Sequence, residues 1–205
     1  MPQEGFKGIL FPLLLWLPVT FAIWYFCGPL LAIMVAGLLD LLLPLLTGGR
    51  ITQVVSAGDT IQAVIVLDAA SYKGLEVPAG QTAELLIQSR PMIFAYGMPV
   101  FLALAFAADS RCDISRNLLG LCVMLLLLVT AFGAGMDLVK SVFLSLPIDI
   151  TRTSLSRMQA DLIALGYQFG VLILPLVVPV LLGCWLCASW FRSALLQADE
   201  PAGPE

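Results

Sequence analysis

The chain has 205 residues, of which 60 % are hydrophobic and 12 % charged, with a net charge of −4 and a mean hydropathy of +0.99. Soluble domains carry about 25 % charged residues, so this composition points to an integral membrane protein, and the net negative charge with ten scattered Lys and Arg argues against nucleic-acid binding. There is no histidine, which removes the commonest general base and the commonest transition-metal ligand.

Ile9 to Leu46 is almost wholly apolar. As one helix it would run about 57 Å, nearly twice the ~30 Å hydrocarbon core. A turn at Cys27-Gly28-Pro29 is too short to bring its backbone out to water between two full spans. The sequence therefore predicts one span from about Ile9 to Leu31, kinked near Pro29, then a lateral or interfacial helix to Leu46 with Asp40 in water or on the next domain. Lys7 is the single positive charge ahead of the apolar run and no Ala-x-Ala site follows, so this segment is expected to stay as an anchor. The first region is thus 1–46.

Residues 47–90 are the sizeable water-facing piece. Thr47-Gly48-Gly49 breaks the helix, Ile51 to Val55 reads as a strand, and Ser56 to Asp59 as its turn. Thr60 to Leu67 alternates, with Ile61, Ala63, Ile65 and Leu67 on one face. Val77-Pro-Ala-Gly80 suits a turn. Ala83 to Gln88 reads as a third strand with Leu85 and Ile87 inward, a helix being the alternative. Such a piece is too small to stand alone, so it is expected to lean on the membrane helices or on a partner.

Residues 91–192 hold three further spans: Pro91–Ala108, interrupted early by Gly97 and Pro99, then Leu118–Leu144 and Leu162–Phe191. The loops at 109–117 and 147–161 are polar, and the tail 193–205 is acidic, Pro/Gly-rich and expected to be disordered. The expected fold is an all-α polytopic membrane protein of about four transmembrane helices with a small β-rich periplasmic insert. Four spans put both termini on one side. Lys7, Arg111, Arg116 and Arg192 lie there, denser along the chain than Arg50, Lys73, Arg90, Arg152 and Arg157 opposite, which favours cytoplasmic termini.

The polar residues within the spans supply the candidate site. Thr130, Gly133, Asp137 and Lys140 form one stripe of the third span. An acid at the bilayer centre costs about 2.5–3.5 kcal/mol, but Asp137 lies about 28 Å from Leu118 along the helix, near the far surface. An interfacial pair that snorkels is therefore as good a reading as a functional one. Tyr96, Gly97 and Pro99 begin the second span, and Gly166, Tyr167 and Gln168 begin the fourth, so all are expected in one outer layer beneath the insert. Gly166 and Gly170 share a face that admits close helix approach. Pro175 withholds the helical donor from the carbonyl of Val171. These ten residues, Tyr96, Gly97, Pro99, Asp137, Lys140, Gly166, Tyr167, Gln168, Gly170 and Pro175, are expected to serve helix packing or partner binding. No catalytic, cofactor or metal residue is indicated. Cys184-Trp-Leu-Cys187 has redox spacing but sits within an apolar helix, where two small polarisable residues are the commoner reading.

Four stretches, taken together, resemble the exosortase H-associated membrane proteins: Leu15 to Tyr25, Pro91 to Pro99, Phe132 to Lys140, and Ala164 to Pro179. The resemblance implies a small inner-membrane protein acting beside an exosortase, a polytopic transpeptidase-like enzyme that cuts C-terminal sorting signals. It does not imply the enzyme itself, which uses Cys with Arg and His. A non-enzymatic accessory subunit with a membrane-protein partner is accordingly the first reading. A transporter or channel subunit is the second, and an intramembrane enzyme the third.

Overall fold

The computed structural model describes residues 3–68, 71–72, 75–76, 82–109, 115–146 and 155–186. In chain order the elements are α1 (Gln3–Phe26), α2 (Gly28–Leu46), β1 (Gln53–Ala57), β2 (Thr60–Asp68), β3 (Ser71–Tyr72), β4 (Leu75–Glu76), β5 (Thr82–Ser89), a 3-10 turn (Pro91–Phe94), α3 (Gly97–Asp109), α4 (Arg116–Ser145), α5 (Arg157–Gln168), a π turn (Phe169–Ile173) and α6 (Leu174–Leu186). Among the described residues, three helical stretches are long and apolar enough to cross a membrane: Gly28–Leu46, Arg116–Ser145 and Arg157–Leu186. The turn expected at Val77–Gly80, the 110–114 and 147–154 parts of the polar loops, Cys187 and the tail lie outside the described residues.

Two of these elements differ from expectation. The first apolar run is broken, not kinked: α1 ends at Phe26 and α2 starts at Gly28, with Pro29 in its first turn. Proline there has no N–H to extend α1 and its ring would meet the carbonyl four residues back, whereas an opening turn needs no such bond. The second expected span, Pro91–Ala108, is not one helix. It is a 3-10 turn followed by the 13-residue α3, only about 20 Å long. Tyr96 and Gly97 mark the joint.

The chain forms two compact units. Among the described residues, one comprises 3–26, 96–109, 115–126 and 176–186. Its core is Phe101, Ala105, Ala108, Cys122, Leu126 and Leu186, all buried. α1 lies along α3, where the Trp16 and Phe106 rings stand 5.1 Å apart. Small residues at Ala105 and Ala108 let helices approach, as lipid-embedded packing requires.

The other unit comprises the described residues between 27 and 95 and between 127 and 175. The buried positions of α2 (Gly28, Leu31, Ala32, Val35, Ala36, Leu39 and Leu43) recur every three or four residues, making one stripe. That stripe carries β1, β2 and the 3-10 turn. The sheet is antiparallel in the order β1-β2-β5. Ile61, Ala63 and Ile65 alternate inward on the central strand and are almost fully buried, each aliphatic side chain contributing about 1.5–3 kcal/mol. Gly58, with φ of +65°, turns the β1–β2 hairpin. A polar contact ties the sheet to α2: the Val54 N–H donates to Asp40 Oδ1 at 2.7 Å, so Asp40 rests on the insert.

Candidate functional site

The polar stripe of α4, from Thr130 to Lys140, lies in the second unit. Thr130 and Gly133 are buried, while Asp137 and Lys140 keep 21 % and 28 % of their side-chain surface. Lys140 Nζ is 3.2 Å from Asp137 Oδ1. The other carboxylate oxygen, Oδ2, accepts a 2.7 Å bond from the hydroxyl of Ser89. Lys140 Nζ also stands 3.4 Å above the centre of the Tyr167 ring, a cation–π distance. Four side chains from β5, α4 and α5 thus form one connected knot.

Ser89 reaches this knot because of sheet register. It pairs with Ile61, so its side chain shares the inward face with Ile61, Ala63 and Ile65. It is itself 4 % exposed. A buried hydroxyl without a partner is costly, and the Asp137 carboxylate supplies that partner. Both oxygens of Asp137 are therefore engaged. The arrangement fastens the end of the insert to two helices. Ser89 donates its hydrogen bond to one oxygen of a carboxylate whose other oxygen pairs with Lys140. Among the described residues, no group of three His, Cys, Asp or Glu comes together to hold a metal.

Below the knot the backbones come close. A Cβ on Gly170 would sit 2.7 Å from Gly133 Cα, and one on Gly133 would meet the Phe94 ring at 2.6 Å and the Gly170 carbonyl oxygen at 3.0 Å. The π turn, the 3-10 turn and α4 converge there. Gly166 also faces α4, but its neighbour is the flexible end of Met136. Pro175, buried, follows the π turn in which Leu174 N–H donates to Phe169 O. A wider turn accommodates a proline whose ring would press on a regular helix.

An open cavity of about 410 Å³ lies between Met136, Val139 and Phe143 of α4 and Leu162 and Ile163 of α5, and none of the four knot residues lines it. Its polar members are already occupied: Thr47 Oγ1 donates to Leu43 O and accepts from Ile51 N, and Gln159 Oε1 accepts from Ser156 N in the cap of α5.

Of the ten residues singled out from the sequence, Asp137, Lys140 and Tyr167 are joined directly, and Gly166 and Gly170 both pack on α4. Gln168 is exposed at the end of α5. Tyr96, Gly97 and Pro99 belong to the first unit, with Gly97 and Pro99 buried at the start of α3. Ser89, Phe94 and Met136 were not singled out. For Ser89 the signal was present: it continues the inward alternation of Leu85 and Ile87, and a polar residue at an inward position implies a polar partner.

The family described as exosortase H-associated membrane protein matches residues 3–190. That is nearly the whole chain, so the chain belongs to this family of membrane proteins. No curated protein and no solved structure matches it.

Proposed function

We propose that the chain is a non-enzymatic accessory subunit of an exosortase-type sorting system in the bacterial inner membrane. In this reading it binds or supports the sortase at the periplasmic face through the surface around Ser89, Asp137, Lys140 and Tyr167. The observation that carries the proposal is the knot itself, in which a 2.7 Å bond and a 3.2 Å ion pair tie the insert to α4 beside Tyr167. A pair that merely snorkelled would have no need of a buried serine from another element. Family membership supplies the partner class.

The same reading has both termini in the cytoplasm, with α1, the segment Pro91–Ala108, α4 and the α5–α6 helix crossing. α2 then lies along the periplasmic surface. Its length alone would let it cross, but its buried stripe carries an open sheet, and unpaired sheet edges are not tolerated in hydrocarbon. Its other face shows Leu41, Leu42, Leu45 and Leu46, suited to the acyl boundary.

Co-expression with the exosortase of the same bacterium tests the proposal. Tagged chain purified in mild detergent should bring the exosortase with it, and reporter fusions at Ser71 and Glu205 should read outside and inside. Purification without the exosortase, under conditions that keep both proteins folded, would remove the reading.

A further inference from the structure

We infer that the free edge of β5 is a docking line for an extended segment of the partner protein, added as a fourth strand of the sheet. This inference rests on the accessory-subunit reading and names how the partner is gripped.

The sheet order β1-β2-β5 leaves two edges, and they differ. At the β1 edge, the Val54 N–H turns away from β2 and is occupied by Asp40. At the β5 edge, no strand among the described residues pairs on the outer side. The register from Ile61↔Ser89 to Asp68↔Thr82 is unbroken, so no bulge bends this edge. The strand Thr82–Ser89 contains neither proline nor lysine nor arginine and carries one charge, Glu84. Proline, lysine and bulges are devices by which proteins blunt an exposed edge, and within Thr82–Ser89 only that single charge is present.

Register also fixes which groups face outward. Val54 pairs with Ala63, and Ala63 with Ile87. Since the Val54 N–H points away from β2, the backbone groups of Ala63 point to β5 and those of Ile87 back to β2. Glu84, Leu86 and Gln88 therefore present their N–H and C=O groups to the open side, at the two-residue repeat that only another extended backbone matches. A helix has no free backbone groups at that spacing.

The side chains narrow the occupant further. Glu84, Leu86 and Gln88 are all exposed. Leu86 is 51 % exposed and Val66, on the same face of the adjoining strand, 43 %. An added strand is matched best by an apolar residue beside Leu86, with basic or amide side chains two positions away facing Glu84 and Gln88. Its end arrives at Ser89, where the sheet is pinned to Asp137, so the edge is continuous with the proposed partner surface.

Amide exchange on the wild-type chain, alone and in complex with the co-expressed exosortase, tests this. Alone, the amides of Glu84, Leu86 and Gln88 should exchange at least tenfold faster than those of Leu85 and Ile87. In the complex they should slow to match. Leu86→Pro removes one outward N–H without touching the ladder to β2, and should lower exosortase recovery at least tenfold, while Leu86→Val keeps it within twofold. Should Leu86→Pro disturb the sheet, seen as faster exchange at Ile87, a photo-crosslinking residue at Gln88 decides instead. Crosslinks to an extended periplasmic segment of the exosortase support the inference. Crosslinks confined to lipid or to β5 of a second copy overturn it, as does unchanged fast exchange at the three amides in the complex. If the exosortase does not co-purify at all, the accessory-subunit reading has failed first; if it co-purifies and the edge stays open, only the edge inference falls.

Discussion

A side chain on Gly170 would have its first carbon 2.7 Å from the Cα of Gly133. The contact is backbone against backbone, so no rotamer change relieves it. This sets it apart from the Gly166 contact, where the neighbouring atom is the end of Met136.

Gly170→Ala and Gly133→Ala should therefore each lower stability in detergent by several kcal/mol, within the upper range for overpacking. Gly166→Ala should cost less than about 1 kcal/mol because Met136 can swing aside. Gly120, on α4 with nothing within 4 Å, is the control: alanine there should be neutral or stabilising by up to about 1 kcal/mol. Reversible unfolding in SDS-containing micelles measures all four. Equal tolerance at Gly120 and Gly170 would contradict the packing account.

Ser89→Ala leaves Asp137 Oδ2 without its 2.7 Å donor. Hydrogen bonds to charged groups contribute about 1.5–3 kcal/mol, and the partial exposure of Asp137 places the loss near the lower figure. The same unfolding measurement reads it, and Gln88→Ala, on the outward face, should change little.

Asp40→Ala should release the Val54 amide, which has its acceptor on that side chain. Exchange at Val54 should quicken by about tenfold, the equivalent of roughly 1.4 kcal/mol. Asp40→Asn keeps an oxygen in place and should lose less. An unchanged Val54 amide in Asp40→Ala would show that the edge of β1 is shielded by something else.

Tyr167→Phe should preserve the contact with Lys140, because the ring face and not the hydroxyl lies under the ammonium. Tyr167→Leu removes the ring and should cost about 0.5–2 kcal/mol. Similar stability of the two variants would mean that the stacking contributes nothing.

The insert was legible because its strands obey a period of two: Ile61, Ala63 and Ile65 are buried as their alternation requires. The Gly166/Gly170 spacing likewise pointed to a packing face, although the partner Gly133 lies 37 residues earlier and no spacing rule names it. α2 was harder. Its apolar run continues without a polar break from α1, and only Pro29 marks the division. The division of the candidate residues between two compact units was not visible either, since depth counted along a helix says nothing about which neighbours it meets. Ser89 was missed because a serine at a strand end reads as a turn residue unless its inward register is followed through.

The most direct measurement is a double-mutant cycle on Asp137 and Lys140, read as recovery of the co-expressed exosortase. If the pair is dehydrated in the complex, Asp137→Ala strands the Lys140 charge, which can cost several kcal/mol, and recovery should fall sharply while the chain still inserts. Lys140→Met should also lower recovery. The double variant, Asp137→Ala with Lys140→Met, should restore part of the loss. If the two residues are interfacial anchors alone, their coupling is a few tenths of a kcal/mol, and wild-type recovery in all three variants would contradict the account.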